Sequence, residues 1–164
     1  MTGTVLVAGV GNIFLRDDGF GVEVANRLAT RPMPEGVRVV DFGIRGLHLA
    51  YELLDGYDAL VLVDAMPMGE PPGTVAIVEP EIDVGGSDVV AVDAHGMDPA
   101  TVLATLSGLG GSVGRVLVVA CEPADLDEGI GLSSTVAGAI DHAVDAVESL
   151  LAGICSAAEN RSRS

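Results

Sequence analysis

The sequence predicts an α/β fold: a three-layer, open twisted sheet of about five strands, mostly parallel, with helices on both faces. Two observations lead to this prediction. The apolar, β-branched runs are continuous rather than alternating, as expected for strands that are buried on both sides. Segments with apolar residues at helical spacing lie between these runs. This alternation is typical of open α/β sheets.

The elements follow one another in a regular order. Four apolar runs predict parallel strands at residues 4–9, 37–42, 58–65 and 115–122. The intervening helical patterns cover residues 20–30, 46–56, 98–108 and 133–151. We expect one domain over residues 1–152, because no linker or internal repeat divides this part of the chain. The polar residues 153–164 predict a disordered tail.

A fifth strand is predicted at residues 74–80, TVAIVEP, directly after the linker MPMGEPPG. A parallel crossover needs about a dozen residues or more, which this linker does not provide. We therefore expect strand 74–80 to pair antiparallel with its predecessor, at or near a sheet edge. Residues 81–97 must then return to the carboxyl edge of the parallel strands, which brings His95 to that edge.

The composition limits the possible partners. The chain has 24 acidic and 8 basic residues, with no Lys, and a net charge of −16. Such a surface repels phosphate backbones, so we expect no nucleic-acid partner. No apolar run approaches the roughly 18 residues of a membrane helix, and no basic leader precedes the first apolar run. We expect a cytoplasmic protein, and a monomer because the predicted helices show no heptad seam.

The glycine-rich loop GVGNIFLRDDG, residues 9–19, has unusual chemistry. Glycine loops behind a strand often bind phosphate through backbone amides. Here the loop presents Asp17 and Asp18, which would repel a phosphate. The third glycine of the dinucleotide-binding pattern G-x-G-x-x-G is also missing. These features exclude a dinucleotide site and favour a loop that faces a cation.

Three sequence-distant residues are predicted to meet at the carboxyl edge, where α/β proteins bind their ligands. They are Asp18, Asp64 and His95. Two carboxylates and an imidazole suit a divalent ion such as Ni, Zn or Mn, with open positions left over. Simpler roles exist for each residue: either loop aspartate would cap the helix at 20–30, Asp64 would form a turn, and His95 would be solvated.

A different function class also fits part of the pattern. LVLVDAMPMG, residues 60–69, is similar to the central strand of phospho-accepting receiver domains, with Asp64 as the acceptor. Receivers place an acidic pair directly after the first strand, where this chain has Gly9 and Val10. They also need a Lys after the last strand, and this chain has none. A non-enzymatic, receiver-like binding module is therefore the weaker alternative.

The segment VLVAGVGNIFLRDDGFGVEVANRL closely resembles the N-terminal signature of the hydrogenase maturation endopeptidases, G-[IV]-G-N-x-x-x-x-D-[DE]-x-x-G. DALVLVDAM resembles the central strand of that family, and AHGMDPATVL its histidine segment. GIGLSSTVAGAIDHAV is similar to the stretch before its last helix. The resemblance runs in order from Val5 to about Leu151.

The resemblance implies an endopeptidase that removes the C-terminal extension of a nickel–iron hydrogenase large-subunit precursor once nickel is inserted. It implies metal-sensing ligands at Asp18, Asp64 and His95, with nickel carried by the precursor rather than held tightly by the enzyme. We expect metal-assisted hydrolysis without a covalent intermediate, with Asp18 as the catalytic base. A hydrolase with a resident metal and another substrate is the second enzymatic alternative.

Substrate contacts are expected from the two loops beside these ligands. Their candidates are Gly11, Asn12, Gly43 and Arg45. The second loop, DFGIRG at 41–46, departs from the D-G-G-T found in many family members, because Ile44 replaces the Thr. Arg45 would then engage a substrate carboxylate or a site aspartate, or would lie exposed in solvent.

Overall fold

The computed structural model describes residues 4–80 and 99–162, which form a five-stranded sheet with helices on both faces. The strands are β1 (Val5–Val10), β2 (Val37–Gly43), β3 (Ala59–Ala65), β4 (Val75–Val78) and β5 (Arg115–Cys121). The helices are α1 (Phe20–Leu28), α2 (Gly46–Leu53), α3 (Pro99–Gly108), α4 (Ser134–Ala137) and α5 (Ile140–Ser162). A short 3₁₀ turn covers Arg16–Gly19. The predicted α/β class is confirmed.

The sheet is buried on both faces, which explains the continuous apolar runs. β1 is buried at every residue, and its parallel neighbours are β2 on one side and β3 on the other. One face packs against α1 and α5 in a core that contains Phe20, Leu28 and Leu151. The other face packs against α2 and α3 around Leu49 and Leu106. Parallel strands covered by helices on both faces are the arrangement that such runs predict.

The predicted antiparallel edge strand is present, but its predicted partner is wrong. The strand order is β2-β1-β3-β5-β4, and β4 pairs antiparallel with β5 rather than with its predecessor β3. β3 has no room for β4, because β1 and β5 flank it on both sides. The linker at 66–74 reaches across β5, since an extended chain spans about 3.3–3.6 Å per residue and neighbouring strands lie roughly 5 Å apart.

The last predicted helix is two helices. A turn at Gly138 separates α4 from α5, so the pattern at 133–151 does not form one continuous element. α5 continues to Ser162, which is beyond the predicted domain end at residue 152. The prediction of a disordered tail at 153–164 is therefore wrong for residues 153–162, which are helical. The prediction for His95 lies outside the described residues, since 81–98 is not among them.

Candidate active site

Gly11 lies at the centre of the carboxyl edge of the sheet, directly after β1. Its φ of +136° is a backbone conformation that favours glycine, and its amide donates to the Gly43 carbonyl at 2.9 Å. A Cβ at this position would overlap the carbonyl oxygen of Asp18 and would lie 3.6 Å from Asp64 Oδ1. The glycine therefore lets the Asp18 backbone carbonyl and the Asp64 carboxylate, which come from separate segments of the chain, lie close to the same point.

Asp18 is half-buried, and its carboxylate is oriented by its own loop. Its Oδ2 accepts a hydrogen bond from the Asn12 amide at 2.9 Å. The Asn12 side chain in turn accepts from the Phe14 amide at 2.9 Å. Gly19 precedes the first turn of α1, and no side chain caps that helix. The helix-cap interpretation of Asp17 and Asp18 is therefore wrong.

Asp17 is completely buried, so its carboxylate is not exposed to a ligand. Its carboxylate accepts hydrogen bonds from the amides of Ala124 at 2.9 Å and Asp125 at 2.8 Å. It also accepts from the Ser133 amide at 2.7 Å and the Ser133 hydroxyl at 2.9 Å. Burial raises the pKa of Asp17, but these hydrogen bonds outweigh burial and hold the pKa below its ordinary value. Asp17 is a buried anion that joins two loops.

The loop after β5, residues 122–133, is the part of the site that was not predicted from the sequence. It follows β5 at the same sheet edge and runs beside the glycine-rich loop. Gly129 donates to the Phe14 carbonyl at 2.8 Å and accepts from the Arg16 amide at 3.1 Å. Ser133 caps α4, where its hydroxyl accepts from the Val136 amide. The available signal was the length of this coil and a Ser at a helix start.

Glu122 begins the same loop and is 8% exposed. Its carboxylate accepts from the amides of Met68 and Gly69, in the linker between β3 and β4. Its backbone amide donates to the Thr74 carbonyl at 2.9 Å. Glu122 thus fixes the linker that follows Asp64 to the end of β5.

Arg45 does not engage a site aspartate through its side chain. Its Nη2 donates to the Asp41 carbonyl at 2.6 Å, and its Nε donates to the Phe42 carbonyl at 3.1 Å. Arg45 is an exposed residue, and its guanidinium caps the end of β2. Gly43 has a φ of +57°, and its carbonyl accepts from Gly11. Arg45 supports the turn against which Gly11 rests.

Asp64 is half-buried near the end of β3. With Asp18 it supplies two carboxylates at the carboxyl edge, and His95 lies outside the described residues. Within residues 4–80 and 99–162, no three His, Cys, Asp or Glu side chains lie close enough together to hold a metal ion. The described residues therefore do not form a complete metal site.

Cys121 and Ser133 carry side chains with nucleophilic chemistry at this edge, but neither of the two is available for attack. Cys121 is completely buried, and burial together with Asp17 and Glu122 raises its pKa to about 11. A thiol in this state is inert near neutral pH. Ser133 uses its hydroxyl on Asp17 and Val136.

The fold and the position of these residues define a class: a mixed α/β protein with two aspartates, Asp18 and Asp64, at the carboxyl edge of its sheet. The chain belongs to the hydrogenase maturation protease family, whose model matches residues 22–150. It is therefore a peptidase. The family assignment contradicts the receiver-like binding module, and so does the antiparallel edge strand, because receivers have the parallel order 2-1-3-4-5.

Individual relatives support the family assignment. Hydrogenase expression/formation protein HupD of Rhodobacter capsulatus is 34% identical over 151 residues, 90% of this chain and 71% of that protein. The hydrogenase maturating endopeptidase HybD from E. coli superposes with a TM-score of 0.79 at 31% identity, covering 92% of this chain and 93% of that one. The [NiFe] hydrogenase maturation protease HybD from Thermococcus kodakarensis gives 0.70 at 25% identity, covering 90% and 99%.

Among the helices of the described ranges, 4–80 and 99–162, none has the length and apolar character needed to span a membrane.

Proposed function

We propose that the protein is an endopeptidase that removes the C-terminal extension of a nickel–iron hydrogenase large-subunit precursor after nickel has been inserted. Nickel enters the site as part of this substrate. The observation that carries the proposal is the position of Asp18 and Asp64 beside Gly11, where the Asp18 backbone carbonyl and the Asp64 carboxylate both lie close to the site of a Cβ on this glycine. Family membership supplies the reaction class.

Asp18, Asp64 and His95 would hold the nickel of the precursor. Carboxylate oxygens and an imidazole nitrogen form a donor set that suits this ion. The carboxylates of Asp18 and Asp64 lie at the sheet edge where α/β proteins bind ligands. By holding the metal centre of the precursor, these residues would place the scissile bond at a fixed distance from Asp18.

Water is the proposed attacking group, since Cys121 and Ser133 are occupied or inert. Asp18 would accept the proton of that water as general base. The Asn12 amide holds one carboxylate oxygen of Asp18 and so fixes its direction. Nickel, when present with the precursor, would polarise the carbonyl of the scissile bond or acidify the water.

Gly11, Asn12, Gly43 and Arg45 are proposed to shape the substrate loops around this site. Their role is to set backbone position, because Gly11 bonds to Gly43 and Arg45 caps the strand that ends there. We propose further that the active unit is a single α/β domain, that it acts in the cytoplasm as a monomer, and that nucleic acid is not a partner.

The test is an intact-mass measurement on a nickel-loaded large-subunit precursor incubated with the purified protein. We expect loss of one defined C-terminal fragment, only when nickel is present. Asp18→Asn should abolish cutting and keep the fold, because the Asn side-chain oxygen still accepts from the Asn12 amide. The matched control is Asp55→Asn, an exposed carboxylate in the turn after α2. An unchanged precursor mass, with the metal shown to be loaded, would contradict the proposal.

A further inference from the structure

Exposed apolar side chains gather at the carboxyl edge of the sheet, on the two loops that Asp17 joins. Phe14 is 61% exposed and Ile130 is 75% exposed. The chain has three Phe residues, and the other two are buried. We name four exposed residues of these loops the apolar rim: Ile13, Phe14, Leu126 and Ile130.

Backbone hydrogen bonds hold together the two loops that carry the apolar rim. Leu15 and Gly129 form a β-bridge between the two loops, and Gly129 bonds to the backbone on both sides of Leu15. The Asp17 amide donates to the Asp125 carbonyl at 3.0 Å. A buried carboxylate therefore secures a segment whose large apolar side chains point to solvent. A surface that is already ordered loses little conformational entropy when a partner binds.

The apolar rim is continuous with the candidate active site. Ile13 follows Asn12, whose amide holds the Asp18 carboxylate. The Phe14 amide donates to the Asn12 side chain at 2.9 Å. A partner that covers Phe14 would therefore lie within a few residues of Asp18.

Charge near the apolar rim is negative. Asp127 and Glu128 are exposed between Leu126 and Ile130. The cation of these loops, Arg16, contacts the Asp125 carboxylate at 3.6 Å. A complementary partner would present an apolar side chain with Lys or Arg beside it.

We propose that the apolar rim is the docking surface of the hydrogenase large-subunit precursor, through an apolar anchor flanked by basic residues. This inference rests on the proposed function and adds the place where the substrate binds outside the metal-holding residues. Buried apolar anchors supply most of the affinity of such contacts, whereas charges at their edge mainly set the rate of association and its dependence on salt.

The experiment measures the rate of precursor cleavage against precursor concentration for wild type, Phe14→Ser and Ile130→Ser. The matched control is Leu109→Ser, an equally apolar residue that is 42% exposed and follows α3 at the opposite sheet edge. We expect KM to rise about tenfold or more in the two rim variants, as for loss of an interface anchor, with kcat within about twofold. Leu109→Ser should match wild type.

A charge variant keeps the test valid if an apolar variant fails to fold. Asp127→Lys with Glu128→Lys changes two exposed residues and should raise KM at low salt. The difference from wild type should shrink at high salt, because ions screen exposed charges.

The outcomes separate the two proposals. If wild type does not cut the loaded precursor, the proposed function fails. If wild type cuts and the folded rim and charge variants keep the wild-type KM, the docking inference is overturned while the proposed function stands. If sedimentation shows a wild-type dimer that Phe14→Ser dissociates with KM unchanged, the apolar rim is a self-contact and the docking inference is again overturned.

Discussion

Asp17 and Ser133 form a double hydrogen bond across the carboxyl edge, in which the buried carboxylate accepts from both the amide and the hydroxyl of Ser133 at 2.7 and 2.9 Å. These residues belong to the first and last loops of the domain. Their contact joins the loop after β1, which carries Asp18, to the loop after β5. The first of the two adjacent aspartates is therefore a structural anchor, and the second remains available for chemistry.

Asp17→Asn should destabilise the protein while Asp18→Asn should not. The amide group of Asn would face at least one of the donors that now bond to the carboxylate, so hydrogen bonds to a buried anion are lost. We expect the free energy of unfolding to fall by about 2 kcal/mol or more. Urea unfolding measures it, and Asp55→Asn should change the value by less than about 0.5 kcal/mol. Equal stability of Asp17→Asn and wild type would contradict the anchoring role.

The same anchor gives a pH dependence of known sign. Hydrogen bonding lowers the pKa of Asp17 in the folded state, so folding favours the ionised carboxylate. The stabilisation is therefore complete above the unfolded-state pKa of about 4, and it is lost as pH falls through the folded-state pKa. We expect the stability gap between wild type and Asp17→Asn to be constant from about pH 7 to 5 and to narrow below about pH 4.

The measurement is urea unfolding of both proteins from neutral to acid pH. Taking the difference cancels the other acidic residues, which are numerous in this chain. A gap that widened towards acid pH would show that Asp17 folds in its protonated form and would reverse the assignment.

Gly11→Ala should remove activity through the position of Asp18. A methyl group at Gly11 would overlap the Asp18 carbonyl, and the φ of +136° disfavours any side chain. The loop would have to shift, and a displacement of about 1 Å at a catalytic group costs about 100-fold in rate. Single-turnover cleavage of the precursor measures the loss.

Gly56→Ala is the control for this prediction. Gly56 also has a positive φ, of +87°, but no atom of the described residues lies within 4 Å of the added Cβ. It lies in the turn after α2, at the amino-terminal ends of the parallel strands. Gly56→Ala should lose stability by about 1–2 kcal/mol because of its backbone strain alone, with cleavage unchanged. If Gly11→Ala cleaved the precursor as fast as Gly56→Ala does, the position of Asp18 would not depend on the close approach of its carbonyl to Gly11.

Hydrophobic patterning was sufficient to predict the sheet and its covered faces, because a strand that is buried on both sides has a continuous apolar sequence. It did not predict the neighbour of β4. The linker before β4 is too short for a parallel crossover but long enough to pass over one strand. The sequence therefore does not distinguish antiparallel pairing of β4 with β3 from antiparallel pairing with β5. The break at Gly138 was missed because the apolar spacing continues across it.

The site was predictable only where side chains carry the signal. Asp18 and Asp64 were proposed as ligands because a carboxylate at a strand end or in a glycine loop is conspicuous. The partners of Asp17 were not, because most of them are backbone amides of residues 124–133. Amides look alike in any sequence, so a buried anion that depends on them becomes visible only in the fold.

Cys121→Ala should keep cleavage within about twofold of wild type, since a buried thiol with a pKa of about 11 is not ionised at neutral pH. Alkylation of the native protein with iodoacetamide should leave the rate unchanged for the same reason. Burst kinetics of precursor cleavage and the mass of the enzyme during turnover give the second readout. An acyl-enzyme adduct on Cys121, or complete inhibition that Cys121→Ala prevents, would replace the water mechanism with a covalent one.

The purified protein should hold little nickel in the absence of its precursor. Asp18, Asp64 and His95 are three proposed ligands, which leave coordination positions of the ion open. We expect the precursor to fill these positions, so the enzyme alone should hold the ion weakly. We expect substoichiometric nickel by elemental analysis after dialysis, and weak binding by calorimetry that Asp64→Asn reduces further. Asp55→Asn should bind nickel as wild type does. A tightly held, stoichiometric ion that survives dialysis would instead support a hydrolase with a resident metal, in which the metal belongs to the enzyme rather than to its substrate.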